Sequence, residues 1–141
     1  MRIHNPMNKQ FLDELKDLLT KAKKNGLIAI KSEFESEGIR QDEFSYLTSL
    51  MSKYGLKTAV KIGGAEAKTD LYQSMLFHTD YVVAPMIETR YAASKCIDAY
   101  RQISKRFGNP PKLFVNIETE TAVNNSSGII EEVADTATGV V

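Results

Sequence analysis

Four short apolar runs constrain this chain more than anything else in it, because each ends in polar residues and leads into a helical pattern. The runs end at Lys31-Ser32-Glu33, Lys61-Ile62-Gly63-Gly64, Pro85-Met86-Ile87-Glu88 and Asn116-Ile117-Glu118-Thr119-Glu120-Thr121. A strand that is apolar on both sides needs cover on both faces, and parallel sheets receive that cover from their crossover helices. In β/α folds of this kind, the working groups gather at the C-terminal ends of the strands.

The rest of the chain supports this alternation. Asn5 as N-cap and Pro6 at the first helical position predict a helix start. Phe11, Leu12, Leu15, Leu18, Leu19 and Ala22 continue it at helical spacing, and Lys21, Lys23, Lys24 and Gly26 mark its end. A strand is expected over 27–30 and a helix over 41–54, with Phe44, Leu47, Leu50 and Met51 on one face. Further strands are expected over 56–62, 81–84 and 113–117, and helices over 65–76 and 89–106. Gly108-Asn109-Pro110-Pro111 stops the last of these helices. A weaker helix over 121–133, interrupted near 124–128, precedes the start of a fifth strand at Gly139.

This is an α/β chain of parallel β/α units. The strands are expected in the order 1-2-3-4-5, curved like half a barrel. The competing open sheet, order 2-1-3-4-5, normally carries a covering helix after strand five, and no helical pattern follows here. The expectation is therefore one incomplete domain over 1–141, the N-terminal half of a (β/α)8 barrel.

Composition removes whole classes of function. The formal net charge of the 141 residues is zero, so no basic field points to nucleic acid or to a membrane surface. No apolar run approaches the roughly 20 residues of a membrane helix, and residues 1–10 hold no signal-peptide core. The single cysteine, Cys96, cannot form an internal disulfide, which fits a reducing cytoplasm. With two histidines and one cysteine there is no His/Cys zinc cluster. Any metal would be held by oxygen, and so would be a hard ion.

The candidate chemistry sits at the strand tips. Glu118 could hold Mg²⁺ or Mn²⁺, although a lone carboxylate is a poor site and a solvated loop acid is the plainer reading. Lys61 could bind a carboxylate or an enolate oxygen, or could lie with its stem along the strand edge. Gly63 and Gly64 could bring backbone N–H groups to an anion, or serve only as a tight turn. Glu33 and Glu35 could orient a water or act as a base, or pair with Lys31 or Arg40. Glu88 and Arg90 follow strand three, where Arg90 could clamp a carboxylate or face water. His78 precedes a strand and is read as structural, His4 lies near a terminus, and Cys96 is read as buried and inert.

The segments 30–35, 60–67 and 83–88, with Asn116-Ile117-Glu118-Thr119, together resemble the HpcH/HpaI aldolase and citrate lyase β-subunit family, over about residues 26–141. The resemblance implies a closed eight-stranded barrel with a divalent metal at its mouth. It also implies cleavage or formation of a carbon–carbon bond beside an enolate, on a keto-acid or acyl-CoA substrate. On that resemblance Glu118 is the first metal carboxylate, and the second is expected beyond Val141. Lys61 stands where many members carry an arginine, and keeps the charge without the bidentate fork. Phe34 stands where the pyruvate aldolases carry a catalytic histidine, and a phenyl ring cannot act as a base.

These readings combine into a carbon–carbon lyase in which Glu118 is metal-binding and Lys61 and Glu33 are catalytic. Gly63, Gly64 and Glu88 are substrate-binding. A homo-oligomer is expected, with no nucleic-acid or membrane partner. Two rivals remain. One is a non-catalytic half-barrel that associates through its open sheet edges. The other is a phospho-acceptor receiver, which would need an aspartate where Pro85-Met86 stands.

Overall fold

The structure is a computed structural model and describes residues 9–141, so the expected helix start at Asn5-Pro6 and the terminal His4 lie outside the described residues. Helix α1 (Lys9–Lys24) leads into β1 (Ala29–Glu33), α2 (Gln41–Lys53), β2 (Lys57–Lys61), α3 (Lys68–Leu76) and β3 (Tyr81–Ala84). Then come α4 (Arg90–Ser104), β4 (Lys112–Val115), α5 (Glu120–Asn124), α6 (Ser126–Val133) and β5 (Gly139–Val140). The strands form one sheet in the order β1-β2-β3-β4-β5, and every pairing is parallel. Sequential order with a helix in each crossover is the pattern of a β/α barrel and excludes the doubly wound order.

Register assigns the two faces. Ser32, Val60, Val82 and Leu113 lie side by side across four strands, and all are buried. They meet Phe44, Leu71, Met75, Cys96, Ile97 and Ile129 from the helices in one core. On the opposite face run two rows, Lys31–Ala59–Tyr81–Lys112 and Glu33–Lys61–Val83–Phe114–Gly139. No member of either row is buried. Tyr81 and Phe114 pack edge to face at 5.9 Å, and the Lys57 ammonium lies 5.2 Å from the centre of the Tyr81 ring. A Cβ on Gly139 would come within 3.3 Å of Phe114 Cε1, so a side chain there would require the ring to shift.

The largest departure from expectation is β1. The apolar run at 27–30 places the strand too early, and pairing begins at Ala29 and continues through Glu33. Ile28 is left 73% exposed. Charged Lys31 and Glu33 are tolerated in the strand because they point to the open face and pair with each other at 2.6 Å. Helix α3 also starts three residues later than expected, since residues 64–67 form a turn closed by Ala67 N–H donating to Gly64 O. The interruption expected in the last helix is real: Asn125 ends α5 and begins α6.

A second, smaller core joins α1 to the rest through Leu19, Met51 and Leu56. Gly26 and Gly55, both at positive φ (96° and 62°), end the two helices that meet there. Among the described residues, no helix is long and apolar enough to cross a membrane.

Cys96 is fully buried inside α4, and burial pushes its thiol up to about 12. Thiol labelling of the native chain should therefore be slower than that of free cysteine by on the order of 10³-fold, and should track unfolding. Rapid labelling in native buffer would contradict this burial.

Candidate active site at the strand tips

The βα loops carry the site. Threonines fix the starts of two of the helices that follow them. Thr89 Oγ1 accepts the Ala92 N–H and Thr119 Oγ1 accepts the Ala122 N–H, each at 3.1 Å. Each threonine thus satisfies a backbone donor that the first helical turn leaves free. Glu88 and Glu118 each immediately precede one of these caps.

A cavity of about 220 Å³ opens between the first four strand ends. Its lining includes Glu33, Glu35, Lys61, Gly63, Met86 and Glu118. Four of the expected site residues, Glu33, Lys61, Gly63 and Glu118, therefore share one space, although they are up to 85 positions apart. Gly64 and Glu88 are not among the lining residues. The Glu88 carbonyl accepts the Asn125 side-chain N–H at 2.9 Å and so ties the β3 loop to the start of α6.

Glu33 is the electrostatic centre. Its side chain is only 15% exposed, its Oε1 accepts Lys31 Nζ at 2.6 Å, and its Oε2 stands 3.8 Å from Lys61 Nζ. The Lys31 hydrogen bond, with help from Ser36, holds its carboxyl below the usual glutamate range. Its backbone N–H donates to Glu37 Oε2 at 3.0 Å. Lys61 is 23% exposed at its side chain and presents its charge beside this carboxylate.

Glu118 is also held in place. Oε1 accepts the Met86 N–H at 2.9 Å, and Oε2 accepts Asn116 Nδ2 at 3.1 Å. Met86 has φ of 49°, a left-handed conformation that a non-glycine residue adopts only under local constraint. The Glu118 bond supplies such a constraint and aims the Met86 side chain, 57% exposed, at the mouth of the cavity.

The Gly63 N–H donates to Asp70 Oδ2 at 2.8 Å, so this amide is satisfied within the fold rather than left for a ligand. A Cβ at Gly63 would meet Glu35 Oε2 at 3.1 Å and Asp70 Oδ2 at 3.3 Å, so a side chain there would require both carboxylates to shift. Arg90 pairs with Glu131 at 3.1 Å and Glu132 at 2.9 Å, both on α6, and serves helix packing. Phe34 packs edge to face on the buried Phe44, with ring centres 5.0 Å apart, and does not line the cavity. His78 lines cavities with Thr58, Asp80 and Lys112, at the opposite ends of the strands.

The donors around Glu118 are all oxygen. Asn116 Oδ1, buried and without a hydrogen-bond partner, lies on the side chain that grips this carboxylate. In kind this set suits a hard divalent ion. In number it falls short: among the described residues, no group of three or more His, Cys, Asp or Glu could hold a metal.

Met86 and Asp70 were not singled out in the sequence. Asp70 is recognisable as an acid in a first helical turn, but its target lies seven residues back across the loop. Nothing local marks Met86 for a left-handed backbone.

No family model matches the sequence, and no curated protein matches it. Solved structures do. An HpcH/HpaI aldolase from Desulfitobacterium hafniense DCB-2 is 12% identical, with a TM-score of 0.69 over 89% of this chain and 56% of its own. An HpcH/HpaI aldolase/citrate lyase family protein from Burkholderia cenocepacia J2315 is 10% identical, with a TM-score of 0.67 over 89% of this chain and 58% of its own. The citrate synthase SbnG is 12% identical, with a TM-score of 0.58 over 81% of this chain and 51% of its own. The chain thus spans little more than half the length of these proteins, and over that span it has the fold of HpcH/HpaI aldolase/citrate lyase family proteins.

Proposed function

We propose that this chain is the N-terminal part of a carbon–carbon lyase of the aldolase and citrate lyase kind. It would act on a keto-acid or acyl-CoA-type substrate through an enolate, with Mg²⁺ or Mn²⁺. The observation that carries the reading is the meeting of Glu33, Lys61 and Glu118 in one cavity at the C-terminal strand ends, where β/α barrels do their chemistry. Glu118 would be the protein carboxylate on the ion, and a second carboxylate would come from beyond residue 141. When bound, the ion would supply Lewis-acid stabilisation of the enolate.

The chain's own groups have separable tasks. Lys61 offers a cation to the substrate carboxylate or enolate oxygen. Glu33, ionised and held by Lys31, orients a water or the substrate hydroxyl and can receive its proton. In the cleavage direction that proton leaves the hydroxyl, the carbon–carbon bond breaks, and its electron pair passes into the enolate. The enolate then takes up a proton at carbon. Gly64 follows the lining residue Gly63 and Glu88 follows Met86 by two positions, and both would contact the distal part of a longer substrate. Phe34 cannot fill the family's histidine role, and Glu33 is the ionised carboxylate beside Lys61 that would orient the hydroxyl.

Lys61→Ala tests this in a protein that carries the remaining strands. Turnover on a keto-acid aldol substrate should fall by about 10²-fold, the scale for loss of one group aimed at a developing oxyanion. Metal binding, read by calorimetry, should not change, because an ammonium is not a ligand. Unchanged turnover would remove Lys61 from the site. Lost metal binding would show that the lysine supports the fold of the site instead.

A further inference from the structure

Lys61 ends β2 with its side chain only 23% exposed, and it is the one lysine or arginine, among the described residues, that lines the strand-tip cavity. Its neighbour across the sheet is Glu33, paired with it in register and facing the same side. A lysine that served only as the counter-ion of this carboxylate would close to hydrogen-bond distance. Lys31 does so, at 2.6 Å, whereas Lys61 stops 3.8 Å from the other oxygen. The carboxylate is thus shared between two ammonium groups, and the Lys61 nitrogen keeps room for a bond to something in the cavity. Ile62, Pro85 and Met86 supply an apolar part of the same wall.

The geometry points to a further activity for Lys61: covalent imine formation with a 2-keto acid. A half-buried amine that opens on a cavity, with a proton carrier beside it, is what this chemistry needs. Glu33 Oε2 takes the proton that the ammonium must lose. The freed nitrogen pair adds to the keto carbon, the carbonyl pair moves to oxygen, and one proton passes from nitrogen to that oxygen. Glu33 then returns its proton to the new hydroxyl, which leaves as water, and the nitrogen keeps its positive charge as an iminium. Ammonium and keto acid thus give iminium and water, with nothing oxidised or reduced. The iminium draws electrons from the adjacent carbon, so a proton on that carbon exchanges with solvent. The activity rests on the lyase reading for the keto acid alone and does not use the ion proposed at Glu118. Among the described residues no group of carboxylates suffices for a metal, whereas both groups that make the imine, Lys61 and Glu33, are present and adjacent. The step therefore does not wait on residues beyond 141.

Borohydride trapping with pyruvate as the keto-acid probe tests the imine, in a protein that carries the remaining strands and with EDTA present. The reductant adds hydride to the iminium carbon and fixes the adduct, and peptide mass mapping reads its position. Lys61 should be labelled at least about tenfold faster than Lys31, which shares the same carboxylate, is 51% exposed at its side chain and does not line the cavity. Lys61→Arg keeps the cation and should lose the label at this position, with unchanged circular dichroism. Glu33→Gln should slow labelling of Lys61 by about 10²-fold. Labelling of Lys61 no faster than that of Lys31, or labelling that needs a divalent ion, would overturn the proposal. Glu33→Gln without effect would overturn the proton route. Cleavage with Mg²⁺ or Mn²⁺ but no label at Lys61 would remove the imine and leave the lyase reading standing. A label at Lys61 in a protein that cleaves nothing with either ion would do the reverse.

Discussion

Glu118→Ala is expected to abolish the proposed metal-dependent lyase activity, a loss of at least about 10³-fold, in a protein that carries the rest of the barrel. Two effects add. The substitution removes a protein carboxylate from the proposed ion, and with it both charge and chelation. It also removes the acceptor that holds the Met86 N–H at 2.9 Å, so the left-handed turn at Met86 loses its local constraint. Glu118→Gln separates the two, because the amide oxygen can still accept from Met86 while the negative charge is gone. Glu118→Gln should therefore keep native stability and still lose nearly all activity. In the isolated chain, metal affinity should be weaker than about 1 mM, since a single carboxylate gives a hard ion too few ligands. Calorimetry with Mg²⁺ and Mn²⁺, beside a keto-acid cleavage assay, reads every arm. Full activity in Glu118→Ala, or tight binding by the 141-residue chain at a site that does not need Glu118, would refute the assignment.

The largest expected loss of stability comes from Phe44→Ala. Phe44 is fully buried on α2 and stands at the centre of an aromatic triad, with Phe34 at 5.0 Å and Phe77 at 6.0 Å, both edge to face. Truncating a buried phenylalanine costs about 3–5 kcal/mol in lost burial and cavity formation, and each ring pair contributes about 0.5–1.5 kcal/mol of it. Domains of this size have a total stability of about 5–15 kcal/mol. The midpoint of thermal unfolding should fall by about 10–15 °C. Phe34→Ala should cost clearly less, because Phe34 is only partly buried. A shift below about 3 °C for Phe44→Ala would mean that the triad is not the core it looks to be.

Phe34 links these two results. The family resemblance puts a histidine at this position, and the sequence alone can say only that phenylalanine is no base. The structure adds where the ring goes. It packs against Phe44 at the edge of the core and is not among the residues that line the cavity. Its neighbours Glu33 and Glu35 remain on the cavity side.

What the sequence determined by itself is the alternation of elements and the parallel sheet. Both follow from local periodicity and from the need to cover each apolar strand on two faces, and they hold across all five strands. The sequence also located the strand tips, because a polar cluster at the end of an apolar run is a local feature. It misplaced β1. In that strand the residues turned to the open face are Lys31 and Glu33, and hydropathy cannot see a strand whose charges are satisfied by each other and by Lys61. Tertiary structure alone decided the site's connections: the Glu118 grip on Met86, the capture of the Gly63 amide by Asp70, and the diversion of Arg90 to α6. Each joins residues on different loops or elements, and which donor meets which acceptor there depends on strand register and helix placement. Those are set by packing of the whole sheet, which no single stretch of the chain encodes.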